Sequence, residues 1–467
     1  MYNFVIRNIT NKYDFTELIK IFLSPDDFSA YTQEEFENIS QAEKASGQTV
    51  YFNDILSEDK NLIKREIYSF LSSETGKTPP WGILTGVRPV KLTGEIFERT
   101  GIEKSVFHEL LDTYLLSREK AELLINTYKY QQKVCGKAEP SSVGVYIGIP
   151  FCPTRCLYCS FTSNQVPDNE IARYLEALKK EIEYTGRRMR ETGLWPESIY
   201  IGGGTPTTLT AGQLDRLLTA VEDNMDLSRT VEFTVEAGRP DTITLEKLKV
   251  IKKHGVQRIS INPQSMKERT LELIGRSHSP DDIVKAFEKS ASAGISAVNA
   301  DVIAGLPEEE PEDFAETLKR ILELDPENIT VHTLAVKRAS RLVEMDRDYH
   351  YRQSERVKKM LEISKEMLAG AGYMPYYLYR QKHMAGAFEN VGYCKEGTPC
   401  IYNIRIMEER QTVLALGAGG ISKMYYPDEN RLERVPNVSN YEIYISRLDE
   451  MLDRKEKNIF MEVEKGC

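Results

Sequence analysis

No stretch of the 467 residues is apolar for long enough to span a bilayer, and Met1-Tyr-Asn-Phe-Val-Ile-Arg-Asn lacks the basic, then apolar run of a signal peptide. The expectation is a cytoplasmic chain with no stable membrane insertion. A basic surplus is missing as well: 61 Lys and Arg stand against 71 Asp and Glu, a net charge of -10. Cationic contacts to phosphate dominate nucleic-acid affinity, so no nucleic-acid partner is expected and a small-molecule substrate is. Cysteine is scarce at seven, which argues against a disulfide framework in a chain this long. The second C-x-x-C or neighbouring His of a zinc site is also missing, the next His being His254.

Three of the seven cysteines stand together, as Cys152-Pro-Thr-Arg-Cys156-Leu-Tyr-Cys159. The strand-like run Gly144 to Ile149 precedes them, and Pro153 with its polar neighbours reads as loop. Thiols at i, i+4 and i+7 can turn inward from one loop at a strand's C-terminal end, where α/β folds place their chemistry. Three thiolates on a four-iron cluster leave one iron open to a small molecule, which implies catalysis more than electron storage. Cys135, Cys394, Cys400 and Cys467 are scattered. Cys394 and Cys400 could ligate a second cluster, but free thiols in a reducing compartment are the preferred reading.

With 41% hydrophobic residues, the length suits about three domain equivalents. Residues 1–140 open with an alternating strand (Tyr2, Phe4, Ile6), followed by helical patterns over Leu56 to Leu71 and Ser117 to Tyr130, an α+β domain. Within it, Pro80-Trp-Gly-Ile-Leu-Thr-Gly-Val-Arg88-Pro-Val-Lys91 reads either as an anion site at a helix start or as a turn packed under Trp81. From 141 to 335, six strands (143–149, 198–201, 231–236, 258–262, 297–303, 329–334) alternate with helical patterns. Parallel strands with right-handed crossovers follow, and an incomplete (β/α)6 barrel fits best. Residues 336–467 lose that rhythm, with a helix near Ser354 to Ala369, and are expected to form a mostly helical cover domain. Their Leu416-Gly-Ala-Gly-Gly-Ile421 loop lacks a dinucleotide fingerprint and reads as a tight turn near the active site.

Ile201-Gly-Gly-Gly-Thr-Pro206 ends the second strand, where glycines let a ligand approach the backbone, and Glu236 closes the third, placed to accept from hydroxyls. The C-x3-C-x2-C spacing resembles the radical S-adenosylmethionine (SAM) superfamily. The wider set, Tyr-x-x-Ile-Pro-Phe-Cys, GGGTP, Glu-Ala, Gln264, Gly275-Arg-x-His278 and Asp301-x-Ile-x-Gly-Leu-Pro307, resembles the oxygen-independent coproporphyrinogen III oxidase (HemN-like) family over residues 143 to 425. Trp-Gly-Ile-Leu-Thr-Gly-Val-Arg-Pro, Tyr-Leu-Tyr-Arg380-Gln-Lys382 and Glu389-Asn-Val-Gly-Tyr393 are similar to its HemZ branch.

The resemblance implies one [4Fe-4S] cluster on Cys152, Cys156 and Cys159, with one or two molecules of SAM. Tyr146, Tyr158, Gly203, Gly204, Thr205, Glu236, Gln264, Arg276 and Asp301 would contact SAM, followed by Ala335 and Ile421. Arg276 suits the SAM carboxylate through its fork, whereas His278 reads as a packing residue. It further implies a tetrapyrrole substrate, a low-potential electron donor such as flavodoxin or ferredoxin, and oxidative decarboxylation of coproporphyrinogen III to protoporphyrinogen IX. Such a polyanion needs cations, for which Arg88, Lys91, Arg380 and Lys382 are candidates. Two departures from the oxidase pattern are Phe161, where it has a fourth cysteine, and Gly148, where it has a histidine. Phe161 is shared with the haem-chaperone branch, so the alternatives are a haem carrier, with His332, His383 or Cys394 as axial ligand, and another radical SAM reaction on a tetrapyrrole.

Overall fold

The structure is a computed structural model that describes residues 1–159, 163–335, 342, 353–381 and 385–466. Near the N-terminus, β1 (Tyr2–Ile6) runs parallel between β2 (Phe28–Thr32) and β3 (Gln48–Phe52). Phe4 and Ile6 of the alternating β1 meet Ile63, Ile67 and Leu71 of helix Lys60–Thr75 in a core of their own. That helix starts later than the apolar pattern suggests. Leu56 has a left-handed φ of 54°, and the Asp59 carboxylate caps the Asn61 N–H at 2.8 Å.

The second sheet has eleven strands. At its centre β4 (Ser142–Ile149), β5 (Trp195–Gly203), β6 (Glu232–Gly238), β7 (Arg258–Gln264), β8 (Ala297–Ala304) and β9 (Asn328–Thr333) pair in parallel and in chain order. Helices Asp168–Thr192, Ala211–Asn224, Leu245–Lys253, Pro280–Ser292 and Pro311–Glu323 connect them. This is the incomplete six-stranded α/β barrel expected from the alternation. Val143, Val145, Ile147 and Ile149 of β4 are fully buried in one core with Ile171, Leu178 and Ile182 of the first crossover helix.

The last third adds helices Ser354–Gly370, Ile401–Glu408, Tyr441–Ser446 and Leu448–Lys455, and it also extends the same sheet at both edges. Antiparallel β11 (Glu389–Cys394) joins β9, with β10 (Met374–Arg380) outside it. At the opposite edge β12 (Val413–Leu416) lies parallel to β4, followed by the hairpin β13 (Ile421–Tyr426) and β14 (Arg431–Pro436). The tyrosine-rich run Tyr373-Met-Pro-Tyr-Tyr-Leu-Tyr379 thus forms most of edge strand β10, and the glycine loop is the β12–β13 turn.

Helix Ile401–Glu408 lies on the cavity side of the barrel. The Glu232 carboxylate accepts from the Ile401 and Tyr402 N–H groups at 2.9 and 3.2 Å, a negative charge where the helix dipole favours one. Arg405 grips Glu197 at 2.8 Å through two nitrogens and donates to the Gly136 carbonyl. Tyr402 stacks on Tyr200, with ring centroids 4.7 Å apart.

Candidate active site at the cysteine loop

The cysteine loop is clamped at both ends by backbone bonds. Cys152 N–H donates to Asn164 O (3.1 Å) and Asn164 N–H to Pro150 O (2.9 Å), while Leu157 N–H reaches Ile274 O at 3.0 Å. The glycine run docks alongside, Gly204 N–H on Ile149 O and Thr205 N–H on Phe151 O, both at 2.8 Å. A Cβ on Gly204 would lie 2.5 Å from Phe151 O and 3.0 Å from Cys152 Sγ, so glycine is needed there to seat the loop. Two positions earlier, a Cβ on Gly202 would meet the Glu236 carboxylate at 2.7 Å. These glycines therefore make room for neighbouring side chains as well as for a ligand.

Cys152, Cys156 and Cys159 all face one cavity of about 350 Å³. Tyr158, Gly203, Gly204, Thr205, Glu236, Gln264, Arg276, Asp301 and Ala335 line its walls, nine of the eleven positions expected to contact SAM. Tyr146 stands behind that wall, stacked on Tyr200 and Tyr402 with centroids 6.4 Å away in each case. Ile421 is placed elsewhere, 46% exposed at the start of β13.

Three polar groups in these walls are held in unusual states. Gln264 has a left-handed φ of 68° and a buried Oε1 with no partner. Arg276 donates to Tyr158 Oη at 2.9 Å and Asn262 O at 3.2 Å, and its buried Nε is unpartnered. Glu236 accepts from Tyr200 Oη at 2.6 Å and from Gly203 N–H at 3.1 Å. Burial, reinforced by Asp301, nevertheless raises the Glu236 carboxyl to about 7. Orphaned polar atoms beside a cavity are what a polar ligand satisfies. Burial likewise pushes the Cys152 thiol up to about 11, so a metal must displace its proton to bind.

Beside Asp301 and His332 the wall is completed by Ser260, Asn299 and Thr330, which were not singled out in the sequence. Asn299 donates to Ser260 Oγ at 2.8 Å and Asp301 Oδ1 at 2.7 Å and accepts from Thr330 Oγ1 at 3.0 Å, while His332 lies 3.6 Å from Asp301 and 3.4 Å from Tyr379 Oη. The signal was available: Ser260 and Asn262, Asn299 and Asp301, and Thr330 and His332 are polar at every second position of successive strands, the mark of one sheet face.

The substrate-anion candidates scatter. Arg380 is buried behind the wall, donating to Leu84 O and Ala387 O with its guanidinium 5.0 Å from the Trp81 ring centre. Its donors are spent on backbone carbonyls, and burial lowers its pKa to about 10. Trp81 itself is packed, its Nε1–H donating to Glu389 at 2.7 Å, so the turn reading holds for that residue. Arg88 and Lys91 face Glu409, at 2.7 and 3.9 Å. Cys394 is buried against Tyr130 and Cys400 against Glu232, both away from the cavity. Lys382, His383, Phe161 and Cys467 lie outside the described residues.

The radical SAM superfamily model matches residues 146–321. The oxygen-independent coproporphyrinogen-III oxidase-like protein HemZ of Bacillus subtilis (strain 168) is 39% identical over 404 residues, 85% of this chain and 80% of that protein. The chain belongs to the HemN-like family of radical SAM proteins. The haem chaperone HemW of the same organism is 36% identical over 196 residues, 41% of this chain and half of HemW. Among solved structures, coproporphyrinogen III oxidase (HemN) from Escherichia coli aligns with a TM-score of 0.54 at 22% identity, covering 69% of this chain and 72% of that one, a likeness of fold. Membership implies a [4Fe-4S] cluster and SAM, and the three-thiol cavity with its orphaned polar groups fits both. Among the described residues, no helix is long and apolar enough to cross a membrane.

Proposed function

We propose that this chain is a radical SAM enzyme of haem biosynthesis that converts coproporphyrinogen III to protoporphyrinogen IX without oxygen. One observation carries the reading: three cysteines share a single cavity with Gly203, Glu236, Arg276 and Asp301. A cluster used only for structure, or a haem carrier, has no evident need for a second set of groups suited to an amino acid and a ribose.

When bound, a reduced cluster and SAM supply a 5′-deoxyadenosyl radical, released as 5′-deoxyadenosine once it has taken a hydrogen atom. Cys152, Cys156 and Cys159 would hold the cluster as thiolates. Arg276 would donate to the SAM carboxylate, and Glu236, ionised, would accept from ribose hydroxyls. Thr205 and the Gly203–Gly204 backbone would meet the amino group, while Tyr200 and Tyr377 narrow the cavity against water. Each reacting propionate carboxylate would lose one β-hydrogen atom to that radical, then carbon dioxide and one electron, leaving a vinyl group, the electron passing to a one-electron acceptor of the iron–sulfur or flavin class. Two rounds complete the conversion, with flavodoxin or ferredoxin as the class of donor that reduces the cluster.

Haem carriage is the second reading, favoured by the HemW match and by His332 in the cavity wall. One assay separates the two. Reduced, reconstituted protein with SAM and coproporphyrinogen III should release 5′-deoxyadenosine and carbon dioxide and form protoporphyrinogen IX, read by mass after oxidation. Stoichiometric haem binding without substrate-dependent 5′-deoxyadenosine would make it a carrier instead. 5′-Deoxyadenosine formed with haem but not with coproporphyrinogen would indicate a different tetrapyrrole reaction.

A further inference from the structure

Four cations surround one carboxylate at the seam between the N-terminal segment, helix Ile401–Glu408 and the β13–β14 hairpin. Glu409 lies 2.7 Å from Arg88, 3.5 Å from Lys423, 3.6 Å from Arg434 and 3.9 Å from Lys91. Among the described residues, no other carboxylate is within ion-pair distance of any of the four. One negative charge thus serves four positive ones, a surplus of three.

Such a surplus is costly in the free protein, since like charges repel and partial burial weakens their hydration. Lys423 is 10% exposed, and burial followed by repulsion from Arg88 depresses its pKa to about 8. Arg88 Nε is buried without a partner. Glu409 adopts φ of 53°, the left-handed cap where glycine is the ordinary choice, and keeps its side chain 11% exposed among the cations. Arrangements that break local rules in this way are expected where a ligand supplies the compensation.

None of the four cations lines the cavity beside the cysteines; the link runs through helix Ile401–Glu408, where Lys423 Nζ donates to the Ile406 carbonyl at 3.5 Å and the next residue, Met407, stands in the cavity wall. Arg434 is 60% exposed, so the cluster opens outward on its other side.

We infer that Arg88, Lys91, Lys423 and Arg434 form a docking site for carboxylates of the substrate, with Glu409 as the internal counter-ion that a substrate carboxylate displaces. The inference rests on a tetrapyrrole substrate bearing several propionates. It adds Lys423 and Arg434 to the candidates and sets Arg380 aside.

The test is fluorescence titration of the reconstituted protein with coproporphyrin III, the stable oxidised form of the substrate class. Its uncharged tetramethyl ester serves as the control. Lys423→Met should weaken coproporphyrin binding about tenfold or more, as losing a charged hydrogen-bond partner does. Arg434→Ser, an exposed change that spares the core, should weaken it several-fold and reduce its dependence on salt. Glu409→Gln should tighten it, because the competing carboxylate is gone, whereas a merely structural ion-pair cluster would lose affinity or stay unchanged. Ester binding should not respond in any variant.

Unchanged coproporphyrin affinity in both Arg434→Ser and Glu409→Gln would overturn the site. So would displacement of coproporphyrin by inorganic phosphate, but not by chloride, at equal ionic strength, which would assign the cluster to phosphate. Coproporphyrin binding that responds as stated, in a wild-type protein that releases no substrate-dependent 5′-deoxyadenosine, keeps the site and removes the decarboxylation. Turnover of coproporphyrinogen with wild-type KM in all three variants keeps the decarboxylation and removes the site.

Discussion

The Tyr200 hydroxyl donates to Glu236 at 2.6 Å, yet the carboxyl it stabilises still titrates at about 7 because the group is buried beside Asp301. The ionised form accepts from ribose hydroxyls more strongly than the protonated one, which also carries a donor that must be placed. SAM affinity should therefore rise from about pH 6 to about pH 8 and then level off. Tyr200→Phe removes a bond that favours ionisation, so the midpoint should move upward, and Glu236→Gln should abolish this pH dependence. Equilibrium dialysis with labelled SAM reads all three, and a wild-type affinity flat across that range would refute the role given to Glu236.

Without SAM, the same residue should act on stability in the opposite sense. Its folded pKa, about 7, lies above the ordinary carboxylate value, so the native state holds the proton more tightly than the unfolded chain. The resulting stability is full below about 4.5 and lost as pH rises through 7. Glu236→Gln, neutral throughout, should match the wild type at about pH 4.5 and exceed it at about pH 8, by up to about 3 kcal/mol. Urea titrations at the two pH values check this.

Arg276→Ala should weaken SAM binding by roughly tenfold to 150-fold, the range for a charge-assisted hydrogen bond worth about 1.5 to 3 kcal/mol. Arg276→Lys should recover little, because a point charge cannot serve Tyr158, Asn262 and a carboxylate at once. Iron content should stay at the wild-type level in both variants, which isothermal titration and iron assay would establish together. Loss of the cluster along with SAM affinity would mean that Arg276 supports the cysteine loop.

The six central strands were legible because each crossover places an apolar run and a helical period in regular succession. The edge strands were not, for β10 and β11 lie where the strand–helix alternation has stopped, and only folding gives β11 its partner in β9 and β10 its partner in β11. Cys152, Glu236 and Arg276 were legible through motif spacing. Tyr200, Asn299 and Thr330 carry no motif, and only their shared face across β5, β8 and β9 reveals them. Arg380 shows the converse: its neighbourhood in sequence is basic, but Leu84 O and Ala387 O, brought close by folding, take its donors.

Removing the ligand thiols should separate cluster binding from folding. The triple variant Cys152→Ala, Cys156→Ala, Cys159→Ala, reconstituted without oxygen, should bind no four-iron cluster, while circular dichroism stays as in the wild type, because the loop is held by backbone bonds to Asn164 and Ile274. Cys394→Ala should keep the full iron and sulfide content, since that thiol is buried against Tyr130. Iron loss in the Cys394 variant would give that residue a ligand role.

A buried ion pair fixes the turn between β12 and β13, and breaking it should destabilise the protein strongly. Lys455 and Glu181 are both fully buried 2.6 Å apart, and Glu181 also accepts from Tyr444 Oη at 2.6 Å, Gly417 N–H at 2.7 Å and Asn437 Nδ2 at 2.9 Å. A Cβ on Gly417 would fall 2.6 Å from Gly148 O, so this turn presses directly on the strand that leads into the cysteine loop. Lys455→Met leaves a carboxylate without its counter-charge and should cost about 3 to 5 kcal/mol. The double variant Glu181→Leu, Lys455→Met removes both charges and should cost less than Lys455→Met alone. Denaturant midpoints measure the first effect and a double-mutant cycle the second. A Lys455→Met variant within about 1 kcal/mol of the wild type would show that Tyr444, Gly417 and Asn437 suffice to hold the charge.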